Sequence, residues 1–374
     1  MTLPTRPLGS SGLDITTVGL GAWAIGGGDW AFGWGPQDDT DSLAAMHRAL
    51  ELGINWIDTA AVYGLGHSEE LVGRLLQELP SRGRPLVFTK CGLVWDERDR
   101  MKEARRVLRP DSIRQECEAS LRRLGVERID LYQFHRPDET GTPVEDSWHA
   151  MMRLVEEGKV RAAGVSNFDV PLLERCEAIR HVDSLQPPFS LIRREAAAHE
   201  IRWCAGHDTG VIVYSPMQAG LLTDSFTAAR VSALAQDDWR RRAVEFQEPN
   251  LSRNLALRDA LQPIARRHGA TVSSHRGGMD TRMAGRDGGD RRCSHGRAGG
   301  RLDRRRDARA HGGGSRRDRR GNRADGRGDG PDAPGGEPRG REALRRASPR
   351  SGYISAARAR PRLAPGAVRH LGRT

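Results

Sequence analysis

Between residues 17 and 215 the chain repeats one pattern. A short apolar run is followed by a turn and then by a longer stretch with apolar residues three or four positions apart. The short runs read as buried strands and the longer stretches as amphipathic helices. Strands are expected at 17–21, 54–58, 86–90, 129–135, 160–166, 184–187 and 211–215. Helices are expected at 39–52, stopped by Gly53; from a Ser68 cap through 79; at 111–124; at 144–157, stopped by Gly158; at 170–179; and in a stretch ending near Thr209. A long charged loop runs from the strand at 86–90 through Arg109. Ahead of the repeat, residues 6–15 read as two short strands around a Ser-Ser-Gly turn. Strands alternating with helices imply a parallel sheet. Seven such strands are one short of the eight that close a (β/α)8 barrel.

Gly19, Gly21 and Ala24 mimic the glycine spacing of a dinucleotide-binding turn. That turn needs a helix opening at its glycines. Here the chain enters a loop rich in Gly and Trp, residues 26–35, so a Rossmann unit is rejected.

Polar groups collect at the strand ends. Asp58 closes one apolar run, and Tyr63 lies in the loop after it. Lys90 ends the next run and His135 the one after that. Taken singly, each has an ordinary reading: a turn cap, amphipathic packing, a solvated or satisfied side chain. Together they put a carboxylate, a phenol, an ammonium and an imidazole at one face of a parallel barrel, where catalytic groups gather. Such a set makes a proton relay.

The motifs around these residues resemble the aldo/keto reductases, and most closely the bacterial branch of general-stress and inositol-associated reductases. They are Gly19-Leu-Gly-Ala-Trp23, Asp58-Thr-Ala-Ala-Val-Tyr63-Gly, Phe88-Thr-Lys90, Asp130-Leu-Tyr-Gln-Phe-His135, Gly164-Val-Ser-Asn-Phe168, Gln186-Pro-Pro-Phe-Ser190 and Tyr214-Ser-Pro-Met-Gln-Ala-Gly-Leu-Leu222. They stand in the family's order and cover about residues 5–274.

The resemblance implies a (β/α)8 TIM barrel plugged at its bottom by the amino-terminal hairpin. It implies hydride transfer from NADP(H), with NAD(H) as the alternative, to a small-molecule aldehyde or ketone. Tyr63 is then the general acid, and Lys90 is expected to lower its pKa. Asp58 pairs with Lys90, and His135 orients the carbonyl oxygen. Ser166, Asn167 and Gln186 are expected to hydrogen-bond the nicotinamide carboxamide and Tyr214 to stack on its ring. Ser215, Pro216 and the chain through Leu221 are expected along the diphosphate, and Gly21 and Trp23 also on the cofactor side. Trp23, Trp30, Trp34 and Trp95 are candidates for the pocket mouth. The family's adenosine and 2′-phosphate contacts follow the eighth strand. No metal is required. A rival from another class is a cofactor-binding, redox-sensing accessory subunit with little turnover.

Charge changes the picture at one place. The net charge of the 374 residues is +11, but residues 275–374 hold 27 Arg, no Lys and 11 acidic side chains, a net +16. Residues 1–274 carry a net −5, which gives no electrostatic reason for nucleic-acid binding. The five cysteines, Cys91, Cys117, Cys176, Cys204 and Cys293, are widely spaced and form no CxxC pair. That usage fits reduced thiols in a cytoplasmic protein. No apolar run of about 18 residues suggests a membrane span, and residues 1–7 have no apolar signal core.

After Ser274 the texture breaks, and Arg, Gly, Asp and Ala dominate. Such a segment buries too little apolar surface to offset its chain entropy, so disorder is expected over 275–374. One reading is an Arg/Gly-rich arm that binds RNA. The favoured reading is a shifted frame. Met279 and Met283 each precede a codon that starts with G, so both become Trp when the frame moves by one base. Around them the shifted frame permits an apolar helix, a turn and a strand ending in Gly-Ala-Arg, in the manner of the missing eighth strand. The division expected is therefore an incomplete barrel, 1–274, and an out-of-frame tail, 275–374. The 374-residue polypeptide is expected to be unstable or inactive for want of that strand.

Overall fold

The structure is a computed structural model that describes residues 3–273 apart from 235 and 237. The segment expected to be out of frame and disordered, 275–374, lies outside the described residues.

The repeat predicted from apolar spacing is present. In chain order the elements are β1 Thr5–Pro7, β2 Asp14–Thr16, β3 Leu20–Gly21, α1 Asp39–Glu51, β4 Trp56–Asp58, α2 His67–Glu78, β5 Leu86–Cys91, β6 Leu93–Val94, β7 Arg105–Arg106, α3 Pro110–Leu124, β8 Ile129–Phe134, α4 Val144–Glu156, β9 Val160–Ser166, α5 Val170–Glu177, β10 Ser184–Gln186, α6 Glu200–Gly206, β11 Gly210–Val211, α7 Ala228–Ser232 and α8 Asn250–Arg267. Seven strands form one parallel sheet in the order β11-β10-β9-β8-β5-β4-β3. Among the described residues no strand pairs with the outer edge of β3 or of β11. This is the (β/α)8 barrel architecture with seven of its strands.

Alternation along the strands sorts side chains to two sides. Outward, residues such as Val87, Cys91, Tyr132 and Phe134 join the helix faces in the main core. Inward, Trp56, Phe88, Leu131, Ala162 and Ile212 meet Leu8, Leu13 and Ile15 of the amino-terminal segment. The β1–β2 hairpin is antiparallel and plugs the barrel, as expected. Trp56 fixes the plug by donating its indole N–H to Thr16 O at 2.9 Å. Gly19 makes room for that indole: a Cβ there would fall 2.1 Å from the Trp56 ring.

Four local expectations need correction. Ser68 does not cap α2. It lies inside the first turn, and its hydroxyl donates to Ala22 O at 3.0 Å and meets Thr59 Oγ1 at 2.9 Å. Gly66, with φ +107°, takes the cap position instead. The strand expected at 17–21 is confined to Leu20–Gly21. The charged loop before α3 contains the small β6–β7 hairpin. The strand expected at 211–215 is confined to Gly210–Val211. Beyond it, Ile212 and Tyr214 still donate their backbone N–H groups to Leu185 and Pro187. The positive φ of Ser215, +55°, ends extended geometry there.

Candidate active site

Parallel strands carry their carboxyl ends to one face, and the four strand-end residues meet there. Asp58 ends β4, Lys90 lies in β5, and His135 directly follows β8. Lys90 is buried, and Asp58 is half-buried beside it. Lys90 Nζ donates to Asp58 Oδ2 at 2.6 Å and to Thr59 O at 2.8 Å. The same ammonium stands 5.2 Å from the centre of the Tyr63 ring. Tyr63 and His135 meet edge to face at 5.7 Å.

The electrostatics follow from this packing. Burial works against the Lys90 ammonium, but the Asp58 carboxylate and Tyr63 outweigh it and raise the pKa of Lys90. The ammonium is therefore a fixed charge. For Tyr63, burial raises the pKa, the ammonium lowers it, and Asp58 raises it again. The result lies above the ordinary phenol value, which corrects the expectation that Lys90 brings Tyr63 below it: desolvation exceeds the pull of an ammonium already neutralised by Asp58. Burial, Lys90 and Arg136 together push His135 far below its usual value, so the imidazole is neutral.

The residues assigned to the carboxamide form one network with this set. Gln186 Nε2 donates to Asp58 Oδ1 at 3.0 Å. Ser166 Oγ donates to Gln186 O at 2.7 Å, and Asn167 Nδ2 donates to Ser166 Oγ at 2.9 Å and to His135 O at 3.0 Å. Tyr214 donates its hydroxyl to Asn167 Oδ1 at 2.8 Å. Asn167 holds φ +61°, a conformation that Asn tolerates better than most residues.

The segment expected along a diphosphate divides. Ser215 and Pro216 line an open groove of about 620 Å³ with Met217, Gly220 and Thr223. Leu221 does not face it. The whole residue is buried in a satellite core with Leu222, Phe226, Phe246 and Leu251, and its backbone N–H donates to Gln218 O at 3.1 Å. Gly21 is exposed at the end of β3, with open space where a Cβ would stand. Trp23 stands at the mouth, stacked on Tyr63 at 6.2 Å and on Trp239 at 5.2 Å, with the edge of Trp34 at 5.3 Å. Trp30 and Trp95 pack in the aromatic cluster that includes Tyr63.

Sequence reasoning missed Arg230, Trp239 and Arg240. Both arginines line the groove. Arg240 lies over the Trp34 ring at 4.7 Å, and its Nη2 donates to Asp238 Oδ2 at 2.6 Å. These residues lie beyond the last predicted strand, where no periodic pattern places a side chain.

Residues 17–275 match the model of the aldo/keto reductase family. The chain belongs to that family. It is 34% identical over 266 residues to aldo-keto reductase YhdN of Bacillus subtilis, covering 71% of this chain and 77% of the relative. It is 34% identical over 278 residues to the NADH-specific methylglyoxal reductase of Escherichia coli, covering 71% and 82%. Among solved structures it resembles glycerol dehydrogenase AKR11B4 from Gluconobacter oxydans, with a TM-score of 0.67 and 37% identity over 75% of this chain and 83% of that one. The holo form of AKR11C1 from Bacillus halodurans shares the fold, with a TM-score of 0.53 and 24% identity over 68% and 81%. An aldo/keto reductase is an oxidoreductase that works with NAD(P)H on small-molecule carbonyl compounds. Among the described residues no helix is long and apolar enough to cross a membrane, and no group of three or more His, Cys, Asp or Glu is placed to hold a metal.

Proposed function

We propose that this aldo/keto reductase reduces small aldehydes or ketones with Tyr63 as general acid, using NADP(H). The observation that carries the reading is the contact of Lys90 with Asp58 beside the Tyr63 ring. NAD(H) is the alternative, suggested by the name of the Escherichia coli relative.

The donor set suits a nicotinamide cofactor. Ser166, Asn167 and Gln186 cluster next to His135, Tyr214 borders them, and the groove at Ser215–Thr223 offers Arg230 and Arg240 to an anion. When bound, the reduced cofactor supplies a hydride. The carbonyl that gains it becomes an alkoxide and needs a proton at oxygen. Tyr63 O–H gives that proton. Its raised pKa keeps the phenol protonated through neutral pH, and the Lys90 ammonium stabilises the phenolate left behind. Asp58 holds the ammonium in place and prevents a buried, uncompensated charge. Neutral His135 hydrogen-bonds the carbonyl oxygen without competing for the proton.

Reduced or absent activity is proposed for the 374-residue polypeptide itself. Among the described residues the sheet ends at β3 and β11 with no strand beyond either. The family match stops at residue 275, next to the change in composition after Ser274. The second feature supports a one-base shift there; the residues that would supply an eighth strand lie outside the described ones.

The test is to assay the full chain, and a version with the frame restored after Ser274, using NADPH or NADH with methylglyoxal or nitrobenzaldehyde. Tyr63→Phe is expected to lower kcat about 10²–10⁴-fold while cofactor binding, read by fluorescence, stays nearly unchanged. Undiminished turnover in that variant refutes the role of Tyr63.

A further inference from the structure

Two carboxylates grip the outer side of β5, the strand whose inner side presents Lys90. Glu69 of α2 accepts from Thr89 Oγ1 at 2.5 Å and from Arg123 Nε at 2.7 Å. Glu116 of α3 accepts the backbone N–H of Gly92 at 2.8 Å and the hydroxyl of Ser112 at 2.9 Å. Gly92 is the point at which the chain turns out of β5. Its φ is +88°, and a Cβ there would fall 2.3 Å from Leu108 Cδ2. The loop that leaves Gly92 also returns to it, since Val107 donates its backbone N–H to Gly92 O at 3.1 Å. Between those points lie Leu93, Trp95 and Ala104, which pack in one cluster with Trp30, Val62 and Tyr63. One carboxyl group thus stands at the base of the wall beside the proton donor.

We infer that Glu116 is a positioning residue: through the Gly92 amide it sets the hinge of residues 92–107, and with it the wall beside Tyr63. The inference rests on the reading of Tyr63 as the acid of a carbonyl reductase. Four elements face this carboxyl: α2 with Glu69, β5 with Cys91, β8 with Tyr132, and its own helix with Arg123. Burial pushes Glu116 up to about 7; the bonds from Gly92 and Ser112 and the Arg123 charge pull it down, and Glu69 pushes it up. Its proton therefore leaves near neutral pH. An ionised carboxylate accepts a hydrogen bond more strongly than a neutral carboxyl, so the hinge is tighter above pH 7 than below it.

The test uses the full chain and the version with the frame restored after Ser274, each unsubstituted and as Glu116→Gln and Glu116→Ala, with hydrogen exchange and steady-state kinetics at pH 6 and pH 8 on whichever form is soluble. In the unsubstituted protein, exchange of the Gly92 amide, corrected for its intrinsic pH dependence, is expected to be several-fold slower at pH 8. KM for an aldehyde is expected to fall over the same range while kcat holds. Glu116→Gln keeps an acceptor but cannot ionise, so both pH effects are expected to vanish. Glu116→Ala is expected to speed exchange at Gly92 by roughly tenfold or more, because the amide loses its acceptor. Exchange at the His135 amide, which donates to Cys91 O, is expected to stay unchanged. The inference is overturned if Glu116→Gln retains the pH dependence of the unsubstituted protein, or if Gly92 stays protected in Glu116→Ala. If Glu116→Ala does not fold, Glu116→Gln alone decides. If no carbonyl is turned over, the exchange profile still decides the hinge, separately from the catalytic reading.

Discussion

Asp58, Lys90 and Gln186 stand on regular parallel strands, whereas Ser215 to Leu221 stand on none. In the first region, neighbouring strands fix each side chain through a ladder: Lys90 is in register with Gln133 and Gln186 with Ser166. In the second, Ser215, Gln218 and Ala219 all adopt positive φ, and short helical turns replace strands. A satellite core of Leu221, Leu222, Phe226, Phe246 and Leu251 holds it, apart from the main core. The proposed catalytic residues Asp58 and Lys90 therefore rest on the parallel sheet, and the groove proposed for an anion rests on a small local cluster. Irregular backbone of this kind is where binding sites store strain.

The strongest way to break this contrast is to complete the sheet. Restoring the frame after Ser274 is expected to give a soluble protein with a sharp cooperative melt and tight NADPH binding. The 374-residue form is expected to be insoluble or protease-sensitive. On the proposal that the shift costs an eighth strand and its helix, several buried apolar side chains are lost at about 1.5–3 kcal/mol each. That rivals the roughly 5–15 kcal/mol that holds a domain together. A sharp melt and tight cofactor binding from the 374-residue form would show that the sheet needs no eighth strand.

A smaller effect separates the two cores. Leu221→Ala is expected to cost about 2–5 kcal/mol locally. Hydrogen exchange should quicken across 215–255 while β5 and β8 keep their protection. Equal loosening of both regions would mean that they form a single cooperative unit.

The smallest expected effect is at Arg240. Arg240→Ala removes a cation over Trp34, a contact worth about 0.5–2 kcal/mol, and one positive charge from the groove. Titration with NADPH should show a Kd higher by several-fold, with kcat at saturation unchanged. A fall in kcat instead would assign Arg240 to the chemistry.

The same contrast explains which features the sequence discloses. Strand positions in the first region are readable because a parallel barrel buries both sides of its strands, which leaves short apolar runs such as 86–88 and 211–213. Asp58, Tyr63, Lys90 and His135 are readable because each sits at or just after the end of such a run. The direction of the Tyr63 shift is not readable, since it depends on how completely the loop at 92–107 and Trp23 exclude water. Ser68 misleads because a serine just ahead of an apolar helix suits a cap, while its hydroxyl serves Ala22 and Thr59 across the chain. Leu221 misleads because a motif position does not reveal that the residue is buried in the satellite core. Arg230 and Arg240 leave no trace, because beyond residue 215 the fold is set by tertiary packing and not by period.

The hairpin that plugs the barrel has a consequence for the order in which the molecule is made. Residues 5–16 leave the ribosome well before their partners at 181–212. Ser10 meets His181 at 2.8 Å and donates its backbone N–H to Asp208 O, and Leu8 packs against Ile212. At about 5–20 residues per second, the hairpin waits on the order of 10–40 s for them. During that interval Leu8, Leu13 and Ile15 have no barrel to fill. The hairpin is thus synthesised well ahead of the residues that bury it, and a chaperone that binds short apolar segments has a long opportunity there.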